Sequence, residues 1–397
     1  MEYIQRDITT KITDVIKRGK SVLLLGPRQT GKTTLLKHIP SDETFSLADL
    51  RVRLRYESHP ERLINEIEAL AEAKKGNPLI IIDEIQKIPL LMDVAQDLID
   101  RRVAQFILTG SSVRKLRREK EINLLPGRVI TIHMDPLSLY EIAKLPFTLH
   151  EHLLYGSLPE IVLIDKTNER EELLDSYIST YLEEEIRAEA FVRNVGEFAR
   201  FLQLAATESG NPINISNVSK EIGVTRRTIE SYYEILTDCL IAEEIYPIVK
   251  SKSSLRLVKT KKHLLFDLGV RRIAAKEGTR LPTGHLGALF EQFIGLELIR
   301  MARYEPTGTE IRFWRDLNGP EVDWVIERPD EYVPIEVKWS DAPTLKDARH
   351  LQTFMNEYKQ AKTGFVICQT PKKMKLAPNI YALPWQSLSE AFQSTAL

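Results

Sequence analysis

Residues 26–33 form a glycine-rich loop whose residue types and spacing suit it to phosphate. The pattern Gly-x4-Gly-Lys-Thr follows an apolar run at 22–25 and precedes a stretch typical of a helix. Backbone N–H groups of such a loop and of the helix N-terminus hold phosphate oxygens. We expect Lys32 to reach the β- and γ-phosphates and the Thr33 hydroxyl to hold Mg²⁺. The residues predicted to bind the nucleotide are Gly26, Pro27, Arg28, Gln29, Thr30, Gly31, Lys32, Thr33, Thr34 and Asp83. A chance glycine turn is disfavoured by the strand before it and the helix after it.

A second acidic motif indicates what happens to the bound nucleoside triphosphate. Four apolar residues at 79–82 precede Asp83 and Glu84, which is typical of a parallel strand buried on both faces. Asp83 is predicted to bind Mg²⁺ directly or through water. Glu84 is predicted to polarise a water for in-line attack on the γ-phosphate. The alternative is that Glu84 is only a solvated acid at a strand end. Because binding alone does not need the second acid, hydrolysis is favoured.

A third strand and a later loop supply the remaining expected catalytic groups. The run at 106–112 ends in small polar residues, of which Thr109, or alternatively Ser111, is expected to orient the attacking water. Arg128 lies on a predicted loop and is expected to reach the γ-phosphate of a neighbouring subunit in a homo-oligomer. Three other arginines compete for this role, namely Arg114, Arg117 and Arg118.

Length and composition predict a multidomain soluble protein. The 397 residues suit two or three domains, and a net charge of −1 with 43% hydrophobic residues is ordinary for a globular chain. No apolar run approaches the ~18 residues of a membrane span, so no membrane partner is expected. Cys239 and Cys368 are too few for a disulfide framework or a zinc site, which favours the cytoplasm.

The pattern of elements divides the chain into three predicted parts. Residues 1–150 alternate strands and helices, which predicts an α/β sandwich with a parallel sheet. Residues 151–283 are mainly helical. Residues 284–397 return to an α/β pattern, a helix followed by short strands.

The middle part contains a predicted helix-turn-helix. Ser216 is expected to cap a short helix that ends at Gly223, and Thr225 is expected to cap a second. Two strand-like runs with lysines between them follow, and a basic hairpin in this place is typical of a wing. The residues predicted to contact DNA are Arg226, Arg227, Ser231, Lys252 and Lys259. The alternative is a structural or protein-docking role.

The C-terminal part contains a second group of acids. Two adjacent strands are predicted, with Asp323 on the first and with Glu336 and Lys338 on one face of the second. Asp323 and Glu336 are predicted to hold a divalent metal, with Glu291 completing its first or second shell. Lys338 would orient water or steady the phosphate. The alternative is an inactive nuclease fold that keeps these residues in salt bridges.

The whole chain resembles the bacterial and archaeal AAA+ ATPases that join an AAA-14-type phosphate-loop domain to a DUF4143 region. The resemblance rests on Arg6-Asp7, residues 26–33, 82–86, 109–112, 126–128 and 135–139, Glu291, 321–323 and 336–338. It implies an ASCE-type ATPase core, a winged helix and a restriction-endonuclease-like α/β domain of the PD-(D/E)xK type. Here Asp323 follows Glu321 and Val322 rather than a proline.

Together these patterns predict an ATP-hydrolysing, Mg²⁺-dependent protein that engages DNA, with a possible metal-dependent nuclease domain. The rival, from another class, is an ATP-dependent molecular switch that binds protein partners and cuts nothing. DNA is expected to stimulate ATP turnover in the first case and to leave it unchanged in the second.

Overall fold

The structure is a computed structural model that describes residues 3–113, 116, 125–182, 195–248, 260–305, 308–316 and 319–393. The chain forms two compact units. Unit 1 comprises residues 1–137, 158–163 and 234–241, and unit 2 comprises the segments 138–157, 164–233 and 242–397. The predicted boundary at 150 falls close to the first change of unit. The predicted boundary at residue 283, between the helical part and the C-terminal part, stays a prediction, because unit 2 contains residues on both sides of it.

The regular elements of the described residues are as follows in chain order. The strands are β1 Ser21–Leu25, β2 Glu43–Ser46, β3 Leu79–Asp83, β4 Gln105–Gly110, β5 Val129–His133, β6 Ala242–Ile245, β7 Lys262–Leu265, β8 Glu310–Arg315, β9 Glu321–Arg328, β10 Glu331–Val337, β11 Gly364–Cys368, β12 Met374–Ala377 and β13 Ile380–Pro384. The helices are α1 Ile8–Lys17, α2 Lys32–Leu36, α3 Leu50–Ser58, α4 Glu61–Lys74, α5 Leu91–Asp100, α6 Leu139–Ile142, α7 Leu149–Tyr155, α8 Pro159–Val162, α9 Thr167–Ser176, α10 Val195–Thr207, α11 Ile215–Ile222, α12 Arg226–Asp238, α13 Leu268–Ala274, α14 Leu286–Tyr304, α15 Arg349–Glu357 and α16 Leu388–Gln393. A π-helical segment at Tyr177–Leu182 extends α9.

Unit 1 is built on a five-stranded parallel sheet in the order β2-β3-β4-β1-β5. Its central strands are apolar on both faces, as in β1, where all five residues are buried. Such strands need a helix layer on each side. The predicted α/β fold with a parallel sheet is therefore confirmed. Because β1, β3 and β4 are parallel, their carboxyl ends meet at one edge of the sheet.

The helical part of unit 2 contains a helix pair followed by two antiparallel strands, β6 and β7. Helix α11 ends at Gly223, whose φ of +84° is the left-handed conformation that glycine adopts most easily. The predicted inward face of α12 is buried at Ile229, Tyr232 and Tyr233. Aromatic rings of α10 and α12 pack on one another, with Phe201 and Tyr232 centroids 5.2 Å apart.

The C-terminal part of unit 2 is a six-stranded mixed sheet in the order β12-β13-β11-β10-β9-β8. Strand β9 is antiparallel to both β8 and β10, whereas β10, β11 and β13 run parallel, and β12 is antiparallel to β13. Helix α15 covers one face through Leu351 and Phe354, which pack with Val325 and Val366. The expected adjacency of the strands that carry Asp323 and Glu336 is confirmed. No helix among the described residues is both long enough and apolar enough to cross a bilayer.

Candidate functional site

The loop at residues 26–31 follows β1 directly, and its shape depends on two glycines. A Cβ on Gly26 would lie 2.3 Å from the backbone oxygen of Met134, so only glycine fits there without moving the backbone. Gly31 has a φ of +94°, a conformation that L-residues rarely adopt. Helix α2 then begins at Lys32, as the sequence predicted. The strand, loop and helix are thus arranged to present backbone N–H groups to an anion.

The side chain of Lys32 is folded onto its own loop. Its Nζ donates hydrogen bonds of 2.7 Å to the carbonyl oxygens of both Gly26 and Pro27, and the residue is buried. The hydroxyl of Thr30 also donates to the Pro27 carbonyl, at 2.9 Å. An ammonium group is therefore held inside the loop beside the place where a phosphate would lie.

A chain of hydrogen bonds joins α2, β3 and β4 at the carboxyl edge of the sheet. The hydroxyl of Thr33 donates to Asp83 Oδ2 at 2.8 Å, and that of Thr109 donates to Asp83 Oδ1 at 2.5 Å. Thr109 Oγ1 in turn accepts from the backbone N–H of Glu84 at 3.0 Å. Thr109 therefore orients Asp83 and the backbone of Glu84. That Thr109 orients the attacking water stays a prediction.

Glu84 is held by a residue that the sequence analysis did not assign to the site. Gln86 Nε2 donates to Glu84 Oε2 at 2.5 Å and to Ser111 Oγ at 3.0 Å. Ser111, the alternative to Thr109, thus contacts Glu84 through Gln86. Glu84 itself has a φ of +63°, which is uncommon for a residue with a Cβ. The one sequence signal was that Gln86 follows the acidic pair by two positions.

Lys32, Thr33, Asp83 and Glu84 line a cavity of about 670 Å³ in unit 1. Its lining also includes apolar or aromatic residues, namely Tyr3, Ile4, His38, Leu137, Pro159 and Leu163, and further charged residues, namely Arg6, Arg28, Lys87 and Glu160. Tyr3 and His38 stack with ring centroids 3.6 Å apart. The volume falls within the usual range for a small-molecule site.

Arg6 connects the phosphate loop to the segment that follows β5. It is buried, and its guanidinium donates to the carbonyl oxygens of Thr30 and Asp135, both at 2.7 Å, and of Pro136 at 3.3 Å. The sequence analysis noted Arg6 only within a family match. Its partners are 24 to 130 residues away along the chain, so periodicity does not reveal them.

Arg128 lies away from this edge of the sheet. Its guanidinium makes a bidentate pair with Asp100, with N–O distances of 2.7 and 2.9 Å. The next residue, Val129, pairs with Ser21 at the start of β1, whereas His133 pairs with Leu25 beside the phosphate loop. Those four steps of strand span about 13 Å. The predicted competitors Arg114, Arg117 and Arg118 lie outside the described residues.

The second predicted site, the acid–lysine cluster (Glu291, Asp323, Glu336 and Lys338), is in unit 2. Asp323 Oδ2 accepts from the backbone N–H of Val337 at 2.8 Å. Lys338 Nζ donates to Glu336 Oε1 at 2.7 Å, so these two side chains share a face as predicted. Glu336 Oε2 is buried and has no hydrogen-bond partner among the described residues. Glu291 instead pairs with Lys262, at 3.1 Å.

Burial and mutual repulsion raise the pKa values of two carboxyl groups in this cluster. Burial raises the pKa of Asp323 well above its ordinary value, and the carboxylates of Glu291 and Glu336 raise it further. Burial also raises the pKa of Glu336, against the effect of Lys338. The pKa of Lys338 is raised, because the two carboxylates outweigh the opposing effect of burial.

Among the residues that the structure describes, no group of three His, Cys, Asp or Glu side chains is placed to hold a metal ion. Glu291 pairs with Lys262, whose Nζ also lies over the ring of Trp324 at 5.4 Å. That Asp323 and Glu336 hold a metal, with Glu291 in its first or second shell, stays a prediction.

The structure describes three of the predicted DNA-contact residues, of which two are exposed. Arg226 and Arg227 are exposed at the start of α12, and Ser231 is half-buried one turn further on. Lys252 and Lys259 lie outside the described residues. The same face of α12 also carries the exposed acids Glu230 and Glu234, which the sequence analysis did not weigh.

The two helix starts differ in how well the sequence predicted them. Thr225 does cap α12, accepting from the Thr228 N–H at 3.2 Å. The prediction for Ser216 is wrong. Helix α11 begins at Ile215, and its cap is Asn214, two residues before Ser216; the Asn214 side chain accepts from the N–H of Asn217 at 3.1 Å.

Three family models match successive parts of the chain. Residues 18–143 match an AAA domain, residues 147–280 match a domain of unknown function (DUF8612), and residues 286–388 match a second domain of unknown function (DUF4143). The parallel sheet, the phosphate loop and the acid pair of unit 1 all lie in the first of these parts. The chain thus carries an AAA-type ATPase domain, followed by a helical part and a mixed-sheet part.

Several whole proteins are similar to this chain. An uncharacterized protein of Mycobacterium tuberculosis (strain H37Rv) is 24% identical over 386 residues, which are 96% of this chain and 83% of that protein. An uncharacterized protein of Methanocaldococcus jannaschii is 27% identical over 274 residues, 60% of this chain and 58% of its own. Among solved structures, a Walker-type ATPase of Pyrococcus abyssi is 14% identical with a TM-score of 0.47, and the match covers 68% of this chain and 96% of that one.

Proposed function

We propose that the protein binds ATP with Mg²⁺ in the unit 1 cavity and hydrolyses it. The observation that carries this proposal is the hydrogen-bond chain Thr33–Asp83–Thr109, which brings together residues from α2, β3 and β4 beside Lys32. A hydroxyl and a carboxylate 2.8 Å apart next to a phosphate loop are the donor set that Mg²⁺ prefers. The apolar residues of the cavity lining are suited to the base and ribose.

In this mechanism the residues of the chain position the phosphates and accept a proton. Lys32 leaves the carbonyls of Gly26 and Pro27 and contacts the β- and γ-phosphates. Thr33 and Asp83 would hold Mg²⁺, which neutralises charge on the phosphate oxygens. Glu84 leaves Gln86 and accepts a proton from the attacking water, while the bond between the γ-phosphorus and the bridging oxygen breaks. Thr109 keeps Asp83 and the Glu84 backbone in place throughout.

The test separates binding from turnover. Glu84→Gln is expected to bind ATP normally but to hydrolyse it at least about 10²-fold more slowly, because a carboxamide cannot accept the proton. Lys32→Ala is expected to lose ATP binding. Glu160→Gln, in the same cavity, is the matched control and should keep the native rate. Native turnover by Glu84→Gln would contradict the assignment of the base.

We propose DNA engagement through α11 and α12 as the partner function. What supports it is that Arg226 and Arg227 are exposed at the start of the second helix of a helix pair, with two antiparallel strands following. Arg226→Ala with Arg227→Ala should weaken DNA binding and lower the salt slope by about one per lost phosphate contact. Glu230→Gln with Glu234→Gln should strengthen binding. A salt-independent complex, or ATP turnover that DNA does not stimulate, would favour the rival molecular switch with protein partners.

A metal-dependent nuclease in unit 2 is the second candidate function. The observation that favours it is Glu336 Oε2, a buried carboxylate oxygen without a hydrogen-bond partner among the described residues. The charge of Glu336 also raises the pKa of Asp323, so the two carboxyl groups interact. Asp323 and Glu336 would hold Mg²⁺ or Mn²⁺, which polarises a phosphodiester. Mn²⁺ should then support nicking of DNA that Asp323→Ala abolishes. Nicking that is absent, or indifferent to that substitution, would leave an inactive nuclease-like domain.

We also propose that the chain acts as a homo-oligomer in which Arg128 contacts the γ-phosphate of a neighbouring subunit. Arg128 would have to exchange Asp100 for phosphate. Arg128→Ala subunits keep a native Glu84, and Glu84→Gln subunits keep a native Arg128. When the two variants are mixed, an Arg128→Ala subunit should hydrolyse ATP only where a neighbouring Glu84→Gln subunit supplies Arg128. A monomer in the presence of ATP by sedimentation would contradict this arrangement.

A further inference from the structure

The strongest unassigned feature is a basic stretch near the C-terminal end of the sequence. Residues 358–389 contain five lysines, and no aspartate or glutamate, in a chain whose net charge is −1. The lysines are Lys359, Lys362, Lys372, Lys373 and Lys375. Such a local excess points to a polyanionic partner, because the rest of the chain balances its charges.

The fold gathers three of these lysines around one groove of about 1,170 Å³, which we call the lysine groove. Lys359 and Lys362 lie on the connection between α15 and β11, and Lys373 lies on the connection between β11 and β12, so two separate connections bring them together. The groove is also lined by Tyr381 and by the amides Asn356 and Asn379.

The groups in the lysine groove are available to a ligand to different degrees. Lys359 and Lys362 are exposed, and neither forms an ion pair with a residue that the structure describes. Lys373 pairs with Glu390 and lies over the ring of Tyr381, 5.0 Å from its centroid. Tyr381 is half-buried and packs beside Phe365 with ring centroids 6.3 Å apart. The groove thus offers two uncompensated cations and one fixed aromatic ring.

The register of the strands separates the ring of Tyr381 from the acid–lysine cluster. Ile335, Phe365 and Tyr381 pair across β10, β11 and β13, whereas Glu336 pairs with Val366 one position further on. Because side chains alternate between faces along a strand, Tyr381 points to the face opposite to Glu336. The ring of Tyr381 therefore lies outside the acid–lysine cluster.

We propose that the lysine groove binds single-stranded nucleic acid. Lysines hold phosphates as point charges without the fixed geometry of arginine, so they track a backbone without reading its sequence. An aromatic ring beside them offers a stacking platform for a base, and side-chain amides offer further hydrogen bonds. The groove is larger than a single phosphate or nucleotide requires. An acidic protein segment would use the charges but not the ring.

The experiment measures binding of a fluorescent oligo-dT to the full-length protein by anisotropy, over a series of salt concentrations. The triple variant Lys359→Gln, Lys362→Gln, Lys373→Gln is expected to lower the slope of log affinity against log salt by about 2. The matched control is Lys144→Gln, Lys276→Gln, Lys346→Gln, which removes three exposed lysines elsewhere in unit 2 and should keep the native slope. Equal slopes for the native protein and the groove variant would overturn the proposal.

Two further variants test the ring and the ion pair. Tyr381→Leu is expected to weaken binding about fivefold or more, and Tyr381→Phe to retain it. Glu390→Gln is expected to strengthen binding, because it releases Lys373 and removes a repelling charge. Polyglutamate that binds the native groove as tightly as oligo-dT, unaffected by Tyr381→Leu, would overturn the nucleic-acid assignment. So would binding that depends only on Arg226 and Arg227. None of these results depends on ATP turnover.

Discussion

The phosphate-loop site and the acid–lysine cluster both hold carboxylates at strand ends, but they hold them with different donors. Asp83 receives two hydroxyl hydrogen bonds, from Thr33 and Thr109. Glu336 receives an ammonium group, Lys338, and its second oxygen is buried without a partner among the described residues. Hydroxyl groups orient a carboxylate and leave its charge in place, whereas an ammonium group already neutralises it.

This difference predicts which of the two sites binds a divalent cation more readily. At Asp83 an arriving Mg²⁺ meets an uncompensated negative charge and nothing has to be displaced. In the acid–lysine cluster a metal has to displace the ammonium group of Lys338 from Glu336, at a site where burial raises the pKa values of Asp323 and Glu336. We therefore expect the first site to bind its metal more readily than the second.

The largest effect is expected from removing the hydroxyl that joins the two acids of the first site. Thr109→Val keeps the shape of a fully buried side chain but leaves Asp83 Oδ1 and the Glu84 N–H without a partner. We expect kcat for ATP to fall by about 10³-fold. Ser111→Ala, the matched control one residue beyond the end of the same strand, should lower it much less. If steady-state assays showed equal losses of kcat for the two variants, Ser111 would remain as good a candidate as Thr109 for orienting the attacking water.

A smaller effect, on stability, is expected from the support behind the phosphate loop. Arg6→Ala removes hydrogen bonds to the carbonyls of Thr30, Asp135 and Pro136, and should lower the free energy of unfolding by about 2–3 kcal/mol. It should also weaken ATP binding. Urea denaturation and ATP titration measure the two effects. Arg6→Lys should restore only part of each, and a native affinity in Arg6→Ala would show that the loop keeps its shape alone.

The sequence predicted the elements of the first site better than their contacts. Strand, loop and helix follow from the apolar run and the glycines, and parallel strands necessarily bring Asp83 and Thr109 to one edge. The roles of Arg6 and Gln86 did not follow. Each depends on a contact with a residue or backbone atom that only the folded chain brings near, and neither has a periodicity of its own.

In unit 2 the sequence predicted which strands are neighbours but not how their charges are distributed. Alternation along β9 and β10 was enough to place Asp323 beside the strand of Glu336. The pairing of Glu291 with Lys262 was missed, because Lys262 was assigned to a basic hairpin and its strand, β7, is remote in sequence. Similarly, Ser216 looked like a helix cap because only its type was considered, while Asn214 is the residue whose side chain reaches the free N–H.

The pH dependence of stability tests the claim that the acid–lysine cluster retains a proton. The pKa of Asp323 in the fold lies above its ordinary value of 3.8, so its contribution to stability is full below that pH and is lost as pH rises through the folded value. Each pKa unit is worth about 1.4 kcal/mol. Asp323→Asn should therefore gain stability relative to the native protein between pH 5 and 8, by denaturation in EDTA.

The control for that measurement is Glu321→Gln, an exposed acid on the same strand, which should follow the native protein. A constant difference between Asp323→Asn and the native protein across this range would mean that Asp323 is ionised throughout. In that case the two sites would hold their carboxylates in the same charge state, and the comparison would fail.

The smallest effect is expected at the start of α11. Asn214→Ala should lower the free energy of unfolding by about 1 kcal/mol, because it removes the cap on the Asn217 N–H. Ser216→Ala, inside the helix, is the matched control and should have little effect. Thermal denaturation distinguishes the two. The reverse order would restore Ser216 as the cap.

The backbone conformation of Glu84 has a consequence for how related sequences change over time. Its φ of +63° is one that glycine and asparagine tolerate better than glutamate, so the glutamate is retained at some expense to the fold. In a lineage released from selection for turnover, position 84 is expected to drift to glycine or asparagine early. Position 83, on a regular strand, is under no such pressure. The residue type at position 84 would then indicate which descendants have lost catalysis while they still fold and still bind nucleotide.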